Sequence, residues 1–275
     1  MKRLLKNFAF TSGLILTVVL VLAALAAPAL APYDPNVQDT MRRLEAPSHQ
    51  HPLGLDDLGR DVLSRVIFGA RVSLRVGFSV VILASLVGVT LGAMSGYFGG
   101  AVDVIVMRLC DILLAFPGIL LAIALVAVLG PSLNNVILAL AIIGWVGYAR
   151  LVRGQVLKVR EMEYVTAAKA LGAKSPRVII RHVLPNVINP VIVMATLGLA
   201  GAILSEAALS FLGLGVQPPT PSWGAMLTAG RRYLGLANHL AIFPGAAIML
   251  AVMGLNFLGD GLIDALDPKY RKLIR

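Results

Sequence analysis

The chain has 275 residues, 58% hydrophobic and only 14% charged, and its mean hydropathy is +0.85. The apolar residues fall in long uncharged runs, which excludes a soluble globular domain and reads as an integral membrane protein. The net charge of +10 does not read as nucleic-acid binding, because the basic residues flank the apolar runs and no aromatics interleave with them. Anionic lipid headgroups and membrane topology account for them. The single cysteine, Cys110, lies within an apolar run. It excludes an internal disulfide framework and a Cys-based metal site, and is read as packing.

Lys2, Arg3 and Lys6 precede an uncharged run from Asn7 to Tyr33. Ala29-Leu30-Ala31 looks like a signal-peptide cleavage site, but the run is roughly twice the length of a signal-peptide core and can span a bilayer. An uncleaved first helix is expected over about Phe8 to Leu30, with its N-terminus in the cytoplasm. Residues 32–71 are polar and mixed in charge. There Asp61 is placed as an N-cap, and Val62, Leu63, Val66 and Ile67 follow at helical spacing with Arg65 and Arg71 off the stripe. This predicts an amphipathic helix lying at the membrane interface. His49 and His51 have no fixed partner in sequence and read as surface loop residues.

The run Val76 to Val102 holds the second span. Within it Ala84, Gly88, Gly92, Gly96 and Gly100 recur every four residues, so small side chains line one helix face and permit close approach by another helix, in this chain or in a partner subunit. Ile112 to Ala149 is uncharged for too long to be one helix, since at about 1.5 Å per residue it would nearly double the roughly 30 Å hydrocarbon core. Gly130 to Asn135 supplies the break. The third span is expected over about Met107 to Leu129, kinked at Pro117, and the fourth over about Val136 to Leu151. Asp103, Arg108 and Asp111 are expected to pair at the interface where the third span begins.

Glu161 to Pro185 is a polar, basic island between apolar segments. Residues 161–171 have good helix formers and no internal Gly or Pro; Gly172 is placed to end that helix in a left-handed turn. Ser175-Pro176 restarts a helix, with Ser175 as N-cap, which is expected to stop near Pro185. Asn186 to Ser205 then forms the fifth span, with Glu206 at its far end, where a buried acid is a candidate path or gate residue and an exposed one merely an anchor. Residues 209–238 read as an ordered external loop with Trp223 near the interface. The last span covers about Leu240 to Leu258 with a kink at Pro244-Gly245, followed by Asp260 as a second candidate path or gate residue.

The pattern Ala167-Ala168, then Gly172, then a hydrophobic helix closing on Leu184-Pro185 resembles the EAA loop of binding-protein-dependent ABC importer permeases. The stretch His51 to Leu74 and the closing Gly259-Asp260 with Asp264-Ala265-Leu266-Asp267-Pro268 are similar to the dipeptide, oligopeptide and nickel branch of that family, second-permease type. The resemblance covers most of the chain. Two departures stand out: the family's Glu is Thr166 here, and its frequent Arg near the C-terminus is Ile263. The resemblance implies an all-α, six-span type I importer permease, divided at residue 71 into a first helix with its extracytoplasmic segment and a core over 72–275, with the coupling loop at 155–187. It implies that Tyr164, Thr166, Ala167, Ala168, Gly172, Ala173, His182, Leu184 and Pro185 form the ATPase-coupling surface. It further implies a second homologous permease, two cytoplasmic ABC ATPases carrying ATP and Mg, and an extracytoplasmic solute-binding protein, in a bacterial inner membrane.

With the N-terminus inside and six spans, most of the 24 basic residues lie on the cytoplasmic side, which also places both termini and the 161–185 island there. No P-loop is present, because Ala173 separates Gly172 from Lys174-Ser175 and no Gly stands at the earlier position. Nucleophile–base and metal motifs are equally lacking, and Glu206 and Asp260 fall at opposite helix ends. The chain therefore reads as a permease subunit and not as an enzyme, without a cofactor of its own and most like a dipeptide or oligopeptide importer. The alternatives are an ion-gradient carrier, for which intramembrane acids and inverted repeats are wanting, or the same importer type carrying nickel or glutathione.

Overall fold

Without a hydrophobic force between helices in lipid, close approach depends on small side chains, and glycine seams organise this chain. The computed structural model describes residues 8–266, and apart from an isolated bridge between Leu55 and Asp61 their regular structure is helical. The helices are α1 (Phe8–Leu25), α2 (Ala27–Leu30), α3 (Val62–Phe98), α4 (Gly100–Leu114), α5 (Gly118–Leu129), α6 (Leu133–Val159), α7 (Glu163–Ala170), α8 (Ser175–Val178), α9 (Leu184–Phe211), α10 (Trp223–Gly230) and α11 (His239–Leu266). Among the described residues, those long and apolar enough to cross a membrane are α1, α3, α6, α8 joined to α9, and α11; α4 with α5, bent by 87°, makes a sixth where the pair is counted as one broken span.

The central seam joins α3 to α6, which run in the same direction. A side chain at Gly88 would strike the Trp145 carbonyl and Tyr148 Cβ at 2.5 Å, one at Gly92 the Ala149 carbonyl at 2.5 Å, and one at Gly96 the Arg153 carbonyl at 2.9 Å. Ala84 meets the same helix at Gly144. The partner face thus lies within the chain. Gly100 does not belong to it: it follows the break at Gly99, has φ +54° and has no neighbour within 4 Å of a built Cβ. A second seam joins α1 and α11 antiparallel, with Gly13 against Leu258 and Gly261 against Phe10.

Several expectations give way to the geometry. The interfacial helix and the boundary at residues 71/72 both dissolve into α3, which has no proline between Val62 and Phe98 and starts where Asp61 Oδ2 accepts from the Ser64 N–H at 2.8 Å. The first helix ends at Leu25, and Pro28 sits in the first turn of α2. The kink at Pro117 is a right-angle elbow. Proline forces its predecessor out of the helical region, so α4 ends at Leu114 and α5 starts anew at Gly118. Pro185 does not end a helix: a π turn over Ile179–Val183 precedes it and places it in the first turn of α9, where the missing N–H costs no helical bond. Lys174, and not Ser175, stands at the N-cap of α8. α11 continues through Pro244.

Opposite the 161–185 end, residues 32–61, α10 and the start of α11 fold into a cap around Val62, Met226, Ala237 and Leu240. His51 is buried there, with Nδ1 2.9 Å from Asp61 Oδ1 and its ring 4.7 Å from Tyr33, so it is not a surface residue. Arg65 is buried too, its Nη1 donating to the Pro35 carbonyl at 2.9 Å. Trp223 is 2% exposed and donates from Nε1 to the Val66 carbonyl at 2.9 Å, packed where Gly69 leaves room. The indole is thus packed against protein with its N–H satisfied.

Candidate functional site: the α7–α8 knob and its supports

α6 extends past the apolar core to Val159, and the chain then turns back through α7 and α8. The turn between them is local chemistry. Gly172 has φ +84°, its N–H donates to the Lys169 carbonyl at 2.9 Å, and the Ala173 N–H donates to Ala168 at 3.1 Å, so the last carbonyls of α7 are satisfied. Val165, Val178 and Val183 are fully buried against Val156 and Val159 of α6, which seats the two short helices on the end of the bundle. The expected surface divides accordingly. Tyr164, Thr166, Ala167, Gly172 and Pro185 are exposed, whereas Ala168, Ala173, His182 and Leu184 are half-buried on the supporting side. Leu171 and Ile180, 89% and 67% exposed, add apolar tips.

Sequence reasoning missed the fastenings beneath this knob. Asp103 of α4 holds Arg153 of α6 through two bonds of 2.6 Å and accepts from Ser95 Oγ at 2.5 Å. Asp111 pairs with Arg150 at 2.5 Å. The acids at the start of the third span therefore bind arginines of α6 instead of Arg108. Arg160 Nη1 donates to the Gly96 carbonyl at 2.8 Å, and Lys169 Nζ lies 5.1 Å from the centre of the Tyr97 ring, so the knob is tied to the end of α3 as well. The small-residue spacing of α3 was the only sequence signal that a helix must lie beside it. Replacing Asp103 with Asn should lower thermal stability by on the order of 1–2 kcal/mol, between an exposed and a buried pair. The swap Asp103→Arg with Arg153→Asp should recover part of it in a melting assay of the purified protein.

Glu206 is fully buried in α9 and accepts from Ser210 Oγ through Oε1 at 2.6 Å, with Ser222 the other hydroxyl that faces it. Asp260 is exposed on α11. Gly259 packs on Leu197, nine residues before Glu206 along α9, so the two acids do not meet. Cys110 is buried in the α4–α6 cluster. Among the described residues, no group of three His, Cys, Asp or Glu is placed to hold a metal ion.

Residues 88–272 match the family described as binding-protein-dependent transport system inner membrane component, and residues 1–47 match the N-terminal TM domain of oligopeptide transport permease C. The chain is 49% identical over 270 residues to a dipeptide transport system permease protein of Alkalihalophilus pseudofirmus, covering 98% of this chain and 89% of that one. It is 44% identical over 271 residues to a glutathione transport system permease protein of Pectobacterium atrosepticum, covering 98% and 90%, and 46% identical over 267 residues to its counterpart in Escherichia coli O157:H7, covering 97% and 88%. Likeness along the whole chain leaves no place for the ion-gradient carrier. The chain belongs to the binding-protein-dependent transport system inner membrane components, as a multi-pass, all-helical permease subunit of an ABC transporter.

Proposed function

We propose that this subunit forms half of the translocation path of an importer for dipeptides or oligopeptides, and that the 161–185 knob carries ATPase motion into it. The supporting partners are a second homologous permease, two cytoplasmic ATPases that bind ATP and Mg, and an extracytoplasmic solute-binding protein. The observation that carries the reading is the knob's construction: an exposed helix–glycine–helix unit that runs without interruption through the π turn into a span, α9. A push on α7 and α8 is delivered to α9 directly and to α3 and α6 through Arg160 and the buried valines. The relatives named for dipeptide and glutathione transport support short peptides as cargo, and glutathione is kept as the second reading.

The basic residues of the α6 end and knob support a cytoplasmic position for that end, with both termini on the same side. The test joins orientation to cargo. Reporter fusions after Asn36, Gly172 and Thr220 should read outside, inside and outside, and cells lacking this chain should lose uptake of short peptides. An external signal at Gly172 would sink the coupling role. Intact peptide uptake with lost glutathione or nickel uptake would reassign the cargo.

A further inference from the structure

α10 is eight residues long, yet it reaches the cap ends of three spans. Trp223 donates to the Val66 carbonyl of α3, and a Cβ at Gly230 would lie 2.5 Å from the Leu240 carbonyl of α11. A Cβ at Gly224 would lie 2.7 Å from the Ala207 carbonyl of α9. The contact with α9 differs from the other two in carrying an acid. Glu206, near the Phe211 end of α9, is fully buried; Ser210 Oγ donates to its Oε1 at 2.6 Å, and Ser222 is the other hydroxyl facing it. Ser222 is itself fully buried and stands at the N-cap of α10, where its Oγ accepts from the Ala225 N–H at 3.2 Å. Its hydroxyl hydrogen is therefore left to be donated to the carboxyl.

A buried acid is costly, and an apolar residue of similar volume would fill the position without that cost. What the acid adds is direction. A satisfied polar network fixes one arrangement of the groups it joins, whereas apolar packing alone tolerates sliding. Here the groups joined are α9, which carries the knob at its other end, and the first turn of α10. We propose that Glu206 is a positioning residue for transport. It fastens α10 and the loop over 212–222 to α9, so that a displacement entering at the knob arrives at the far end of the same span and carries the cap with it. This role rests on the coupling assigned to the knob.

The complete transporter with its binding protein, reconstituted in proteoliposomes, is assayed for ATP hydrolysis together with uptake of Ala-Ala or, where that is the cargo, glutathione. Glu206→Leu keeps the site filled and removes the acceptor. Its melting and its binding-protein-stimulated ATP hydrolysis should stay close to wild type, while uptake per ATP hydrolysed falls about tenfold or more, the scale of a lost buried hydrogen bond to a charged group. Glu206→Gln keeps an oxygen for Ser210 to donate to and an amide that Ser222 can accept from, and should restore uptake per ATP to near the wild-type value. Wild-type uptake per ATP in Glu206→Leu overturns the fastening. A parallel fall of uptake, hydrolysis and melting in that variant also overturns it, leaving Glu206 a packing role alone. Glu206→Gln as uncoupled as Glu206→Leu overturns it too, by assigning the effect to charge. Gly172→Val, assayed beside them, separates the failures: wild-type behaviour there removes the knob's coupling role itself, whereas lost transport there with none in Glu206→Leu removes only the fastening.

Discussion

Gly92→Leu is expected to be the most damaging single substitution in the membrane core. Even the Cβ of alanine would come 2.5 Å from the Ala149 carbonyl and 2.9 Å from its Cα, and backbone cannot rotate aside as a side chain can. α3 and α6 must then separate along the whole seam, losing the contacts at Gly88 and Gly96 and straining the Arg160 bond to the Gly96 carbonyl. Overpacking in soluble cores costs about 1–3 kcal/mol, and a leucine driven into helix backbone belongs at the upper end or beyond. Melting of the detergent-purified transporter should shift strongly downward and the inserted yield should fall. Gly154→Ala, on α6 where a Cβ meets nothing within 4 Å, is the control and should behave as wild type. A Gly92→Leu protein that melts with the wild type would show that the seam is not what holds α3 to α6.

The second large effect is expected at the knob, and it is functional before it is structural. Gly172→Val meets no steric obstacle, since nothing lies within 4 Å of a Cβ there. Its cost is the left-handed φ of +84°, on the order of 1–2 kcal/mol for a residue with a side chain. That leaves a six-span chain inserted but redirects α8 relative to α7. Leu171→Asp acts by another route: the residue is 89% exposed, so the chain loses no packing, but an apolar anchor becomes a charge. Losing such an anchor from an interface costs on the order of 2 kcal/mol, a roughly 30-fold weaker fit. Both variants should depress transport and transport-linked ATP hydrolysis while the chain's own melting changes little. Thr166→Glu restores the acid of the family pattern on an exposed site and should be tolerated or improve coupling. Wild-type transport by both Gly172→Val and Leu171→Asp would remove the knob from the coupling mechanism.

The spans and the knob's turn were legible in the sequence because neighbours along the chain decide them. The apolar runs mark the spans, since burial in lipid needs length and hydrophobicity, both countable in a row of residues. Gly172 marks its turn because a left-handed residue is a local backbone requirement, and the four-residue repeat from Ala84 marks a helix face because side-chain direction follows the helical period. The tertiary structure decided everything that depends on which distant residue arrives opposite. It chose α6 as the partner of that face, gave Asp103 to Arg153 fifty positions away, and put His51 and Trp223 inside a cap. It also let Pro185 ride within a continuous span by opening a π turn ahead of it, because a breaker's local penalty is small beside the packing of the valines on either side. The open groove beside Gly201 belongs to the same class: α3, α5, α6 and α9 line it together, and no single stretch of sequence contains it.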